Sequence, residues 1–147
     1  MNLQLLDVDW NEITPQARRN KLMELECAIK DQDTEVTIEP VIYSAAGVYA
    51  REITIPAGTA LVGEIHLKDQ INVVSKGVIK VATEEGVRVI EAPCTFVSPA
   101  GTKRAGFAME DTVWTTFLAT DKTEDKDVYS EFIAPDYDAL DKTLEHK

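Results

Sequence analysis

The sequence predicts a mainly all-β fold, an antiparallel barrel or sandwich with a helical segment before it and a charged segment after it. Three observations predict it. From Glu35 onward the chain runs in short β-branched apolar stretches broken by Gly and Pro, which is how many short strands at regular spacing read. All seven glycines fall between Gly47 and Gly106, where tight turns need backbone conformations that glycine adopts at little cost. No helix-length pattern separates the stretches, which argues against a parallel sheet with crossover helices.

The first element is a helix. Thr14 suits its cap, Pro15 its first turn, and residues 16–30 hold no Gly or Pro. Leu22, Leu25 and Ile29 recur at helical spacing and form an apolar stripe for the barrel or for a neighbouring subunit. Residues 31–34 read as a break. Strands are predicted near 36–42, 48–55, 60–66, 71–75, 78–82, 87–92, 95–98, 104–108 and 112–118. Thr83-Glu84-Glu85-Gly86, between two Val-rich runs, reads as a hairpin turn. Beyond Thr120, Phe132-Ile133-Ala134 is a candidate edge strand. Asp136 then caps a short last helix with Tyr137, Leu140 and Leu144 on one side. The chain divides into a helical segment (1–34), a barrel (35–120) and an acidic tail with a short helix (121–147).

The 147 residues suit one domain with its own core. A hydrophobic share of 44% with 28% charged residues is that of a globular chain and not of a disordered one. No apolar run approaches the roughly 20 residues that span a bilayer. Residues 1–10 carry Asp7 and Asp9 and no basic lead, so no secretory leader is expected and the cytoplasm is the expected compartment. The net charge of −11 makes nucleic acid and anionic membranes poor partners. Nine carboxylates and four lysines lie in 121–147, which reads as a solvated tail, with a docking arm for a basic partner as the alternative. Cys27 and Cys94 form no CxxC pair and are expected as buried or half-buried thiols of a reducing compartment. Two cysteines and two histidines are too few for a structural zinc site.

Two segments carry a resemblance. Pro56-Ala57-Gly58, Gly63-Glu64-Ile65-His66 and Gly77 resemble the first cupin motif, in which a Gly, His-x-His, an acidic residue and a closing Gly follow in order. Pro99-Ala100-Gly101-Thr102-Lys103-Arg104 resembles the second, in which Pro-x-Gly precedes a metal-binding His. The match covers roughly 47–119 and implies a cupin-type barrel, or jelly roll. A narrower resemblance rests on Tyr49-Ala50-Arg51-Glu52-Ile53, Asn72-Val73-Val74-Ser75-Lys76-Gly77 and Glu110-Asp111-Thr112-Val113-Trp114-Thr115-Thr116. With the motif remnants, these strings look like small cupin-like proteins of tailed bacteriophages, a group of generally unassigned function. The departures bear on activity. Glu64 and His66 stand where cupins offer His-x-His, Gln70 stands near the acidic ligand, and Arg104 replaces the second-motif His. The phage relatives often carry histidines at the places of Gln70, Met109 and Leu118, and this chain has none there.

The candidate pocket residues are therefore Glu64, His66, Gln70, Asn72, Arg104 and Trp114. A mononuclear metal wants three or four His, Glu or Asp side chains; His66 is the one ligand retained, and an inward Arg104 would repel the cation. Lys103 and Arg104 are expected to pair across strands with Glu110 and Asp111. In the sharper alternative, Arg104 grips a carboxylate or phosphate at the barrel mouth, with Asn72 adding a directional hydrogen bond. Alternation puts Thr112, Trp114 and Thr116 on one face, where Trp114 packs or, alternatively, stacks on a sugar or base. No nucleophile elbow or phosphate-cradling loop is present. The leading expectation is a non-catalytic phage protein: a homo-oligomeric accessory scaffold in the host cytoplasm, associated with virion proteins, and without a cofactor. The alternative is a small-molecule binder or an enzyme using one divalent transition metal.

Overall fold

The computed structural model describes residues 9–10, 12–30 and 37–145. In chain order it has α1 (Pro15–Lys30), β1 (Val41–Ala45), β2 (Val48–Ile55), β3 (Ala60–Val62), β4 (Ile65–His66) and β5 (Gln70–Lys76). Then come β6 (Val78–Thr83), β7 (Gly86–Glu91), β8 (Cys94–Ser98), β9 (Ala105–Ala108) and β10 (Thr112–Ala119). The chain closes with α2 (Asp125–Phe132), β11 (Ile133–Ala134) and α3 (Tyr137–Glu145). The predicted break at 31–34, residue 36, the Leu144 side chain and His146 lie outside the described residues.

Every strand pairing is antiparallel. A five-stranded sheet runs β1-β2-β10-β5-β8, and a four-stranded sheet runs β3-β9-β6-β7. Their facing sides share one core of Ile55, Val74, Ile79, Val81, Ile90, Ala108 and Trp114. Period-two alternation puts these side chains on inner faces, and their removal from water is the main force holding the sheets together. Gly77 makes the β5–β6 corner at φ 90°, and a Cβ there would lie 2.3 Å from the Asp111 carbonyl oxygen. Only glycine meets both demands.

The outer face of the four-stranded sheet is covered by α1. Thr14 Oγ1 accepts the Ala17 amide at 3.1 Å and caps the helix. Leu22 and Leu25 bury against Trp10, Ala82 and Ala105. The buried Lys103 ammonium meets Glu26 of this helix at 2.7 Å. Arg19 meets Glu84 of the β6–β7 turn at 2.7 Å and Asp141 of α3 at 3.6 Å.

Several elements differ from the sequence expectation. The run at 60–66 is two strands, because the Gly63 amide bonds the Arg104 carbonyl at 2.8 Å and the chain changes sheet there. β3 joins the four-stranded sheet, while β4 pairs with β11. The first strand begins at Val41, later than predicted, where its register with β2 starts. The charged segment holds two helices. α2 begins with Asp125 and Asp127, which favour a helix N-terminus, and it buries Val128 and Phe132 against Tyr49 and Leu118. α3 is capped by Asp136, whose Oδ1 accepts the Ala139 amide at 2.7 Å, and Leu140 packs on Ile65 and Ala134. Cys27 is exposed, contrary to expectation: two residues past Leu25, it faces away from the sheet. No helix among the described residues is long and apolar enough to cross a membrane.

Since Leu22 is wholly buried, Leu22→Ala should cost about 3 kcal/mol of unfolding free energy, as core truncations of this kind do. Urea denaturation measures it. A loss below about 1 kcal/mol would show that α1 is not part of the cooperative unit.

Candidate functional site

A cavity of about 280 Å³ lies between the sheets, with α2 across its mouth. Alternate residues of β2 line one wall: Tyr49, Arg51, Ile53 and Ile55. Trp114, Thr116 and Leu118 of β10 form the next, again by alternation. The opposite side is built by Leu61, Ile79, Val81 and Gly106, with Arg104 just before β9. His66 and Glu64 stand at the β4 edge, and Val128, Tyr129 and Phe132 of α2 close over them. The Tyr49 hydroxyl donates to Asp125 Oδ1 and ties α2 to β2. Burial and that carboxylate push the Tyr49 phenol above its ordinary range, so it remains a donor.

Three of the sequence-selected residues, His66, Arg104 and Trp114, converge on this cavity, and Glu64 lines its rim with an exposed side chain. Asn72 and Gln70 do not line it. Asn72 is fully buried behind Trp114 and acts as a hub. Its Oδ1 accepts Trp114 Nε1 at 3.0 Å and Thr116 Oγ1 at 3.1 Å, and its Nδ2 donates to Ser98 Oγ at 2.9 Å. Gln70 is 2% exposed, and neither polar atom of its side chain has a hydrogen-bond partner. The cross-strand pairs expected for Lys103 and Arg104 do not form. Lys103 reaches back to Glu26, while Asp111 accepts the Ala57 amide at 2.8 Å.

Arg104 is the unusual group. Its guanidinium lies 4.9 Å from the Trp114 ring centroid, and its Nη1 donates to Ser98 Oγ at 2.5 Å. Among the described residues no carboxylate pairs with it. Burial lowers its pKa to about 10, and Arg88 adds to the effect, so it stays charged at neutral pH. His66 Nδ1 lies 3.0 Å from the Glu64 carbonyl oxygen. A carbonyl only accepts, so Nδ1 carries the proton and Nε2 is an acceptor. Burial lowers the His66 pKa to about 4, helped by the charges of Arg104 and Arg51.

This donor set does not fit a transition metal. Among the described residues no three His, Cys, Asp or Glu side chains gather. The one imidazole at the cavity stands in the field of two guanidiniums, where a cation is repelled. The set suits an anion with an apolar body: a fixed cation, a neutral imidazole and an aromatic and aliphatic wall. Sequence reasoning missed Arg51, Tyr49 and the α2 residues as lining groups. The alternation Tyr49-x-Arg51-x-Ile53-x-Ile55 held the signal for the first two. Nothing local foretold that α2 would fold back over the barrel.

No family model and no curated protein matches the chain. Solved structures match it in shape. KdgF from Halomonas sp. is 23% identical, with a TM-score of 0.52 over 66% of this chain and 90% of that one. An acetylacetone dioxygenase from Acinetobacter johnsonii is 18% identical, with a TM-score of 0.50 over 58% and 61%. A cupin superfamily protein from Desulfitobacterium hafniense is 11% identical, with a TM-score of 0.50 over 61% and 84%. These likenesses show the cupin-type jelly roll that the two motif remnants imply, and they extend to the fold alone.

A half-buried imidazole held neutral makes stability depend on pH. The unfolded chain takes up the His66 proton near pH 6.5 and the folded chain near pH 4. The contribution is therefore full above about pH 6.5 and falls away as pH drops toward 4. His66→Gln should flatten this part of the stability curve relative to wild type. An imidazole NMR titration of the His146→Ala chain should give a midpoint near 4, and a midpoint near 6.5 would contradict the cavity electrostatics.

Proposed function

We propose that the chain is a binding protein for a small organic carboxylate held in the barrel cavity. The supporting observation is Arg104, a half-buried guanidinium without a carboxylate partner among the described residues. Burying a charge alone costs several kcal/mol, and an incoming carboxylate supplies the missing counter-charge with two parallel hydrogen bonds. Trp114, Ile53 and Leu61 accept the apolar body, and His66 Nε2 can accept from a hydroxyl on a ligand that carries one. About 280 Å³ admits a small metabolite and not a polymer.

Benzoate and hexanoate serve as probes. Either should shift the Trp114 indole N–H signal in a saturable way. Arg104→Gln should weaken binding by about tenfold or more, the worth of a charge-assisted hydrogen bond. The reading is lost if neither probe binds, or if Arg104→Gln binds them as wild type does. A thermal midpoint for the variant checks that it folds.

A second reading, an oligomeric scaffold, is favoured by β1. This strand is the edge of the five-stranded sheet, and all five of its residues are exposed, Val41, Ile42 and Tyr43 among them. Among the described residues β1 has no strand on its outer side, and an apolar edge of this kind is a template for a second copy. The resemblance to phage cupin-like proteins gives this reading its setting, a virion-associated accessory protein in the host cytoplasm. Light scattering after size exclusion should then show a dimer that Tyr43→Lys converts to monomer. A wild-type monomer at micromolar concentration would remove this reading.

A further inference from the structure

A second opening lies at the seam where β7 and β8, the end strands of the two sheets, approach each other. It is a cleft of about 550 Å³, separate from the cavity mouth, and Arg104 borders both. Arg88 of β7 and Ser98 of β8 border the cleft alone.

The polarity of the buried network decides what Ser98 can do. An indole N–H only donates, so Trp114 fixes which end of the Asn72 amide is oxygen. The amide nitrogen must then donate to Ser98 Oγ, at 2.9 Å. A guanidinium also only donates, so Arg104 makes a second donation to the same oxygen, at 2.5 Å. Ser98 Oγ thus accepts twice and keeps its own proton, for which no described residue is an acceptor. Ser98 is 4% exposed, so this is a buried donor at the wall of a cleft.

Positive charge gathers at the same place. The Arg88 guanidinium lies 4.4 Å from the Phe96 ring centroid, and Arg104 lies 4.9 Å from that of Trp114. The two rings meet edge to face at 5.5 Å. Stacking holds both cations in place without neutralising either. Neither has a carboxylate partner among the described residues, although the chain carries 26 acidic residues. Of the two acids bordering the cleft, Glu84 is taken by Arg19 at 2.7 Å and Glu85 is exposed.

We propose that this cleft is a phosphate site, in which the Ser98 hydroxyl and the Arg88 and Arg104 guanidiniums donate to one oxyanion. The volume leaves room for a phosphate monoester as well as for the free ion. The site is distinct from the carboxylate cavity, and of its three donors it shares with that cavity only Arg104.

The test titrates the full chain with inorganic phosphate and, separately, with phenyl phosphate at constant ionic strength, following the backbone amides of Arg88 and Ser98. Saturable shifts with at least one probe are expected. Phosphate alone marks a free-ion site, and the ester alone marks a monoester site. Arg88→Gln, a change at an exposed position, should weaken the titration about tenfold while leaving benzoate and hexanoate binding in the cavity intact. Arg51→Gln should disturb the carboxylates and spare the phosphate. The proposal is overturned if neither phosphate probe saturates, or if Arg88→Gln titrates as wild type does. The benzoate arm reports on the cavity independently, so each site can fail without the other.

Discussion

A half-buried guanidinium with no carboxylate beside it among the described residues constrains almost everything around it. Arg104 enters between the sheets just before β9, and its charge must be accommodated by dipoles and rings. Trp114 offers the face of its indole, and Ser98 offers a lone pair. Those two side chains are held in turn by Asn72, which lies between them and is fully buried. The network therefore links β5, β8 and β10 of the five-stranded sheet to a cation from the opposite side of the barrel. A partly satisfied network of this kind is costly in a low dielectric, and a fully satisfied one specifies a single arrangement. Here Asn72, Trp114 and Ser98 are tied to one another, while the guanidinium charge has no carboxylate and the Ser98 hydroxyl proton no acceptor among the described residues. Both sit at openings to solvent, which is where a protein can leave demands for a ligand to meet.

The terminal segments share a similar logic. α1 covers the outer face of the four-stranded sheet, and α2 and β11 close the cavity mouth. Arg19 connects the two ends of the chain, reaching Glu84 and Asp141 and lying 4.3 Å from the Tyr137 ring centroid. The acidic character of 121–147 is not wasted on solvent alone. Asp125 takes the Tyr49 hydroxyl, Asp136 caps α3, and Glu131 receives Thr120 Oγ1 at 3.0 Å and Lys68 at 3.0 Å. A run of like charge is thus spread over particular donors, and its apolar residues Val128, Phe132 and Leu140 anchor it.

Much of the barrel was legible because β structure writes a local signal. Residues 48–55 show period-two alternation and end at a proline, and β2 occupies that span. The turn at Thr83-Glu84-Glu85-Gly86 was legible for the same reason, since Thr83 and Gly86 are the closing pair of β6 and β7. The failures are non-local. The break inside 60–66 depends on a hydrogen bond between Gly63 and Arg104, 41 positions later in the chain. α2 depends on Tyr49 and Leu118 waiting to receive it. At the site, the motif remnants pointed to the right neighbourhood but not to the roles. Gln70 and Asn72 are both inward and buried, yet alternation cannot say whether an inward residue meets a cavity or its neighbours. The direction of each hydrogen bond, which decides what Ser98 and His66 can offer, is a property of the folded network alone.

The two tryptophans occupy contrasting surroundings. Trp10 is 1% exposed among the apolar residues beneath α1, and its indole nitrogen has no partner. Trp114 is hydrogen-bonded through that nitrogen and lies beneath a guanidinium. The chain therefore carries two optical probes of unlike kind. One has a dry environment that changes only when the helix lifts from the sheet. The other has its excited state in the direct field of Arg104, the cation that borders both openings. Emission from this protein is in effect a two-channel record, with one channel for the integrity of the fold and one for the charge balance inside it.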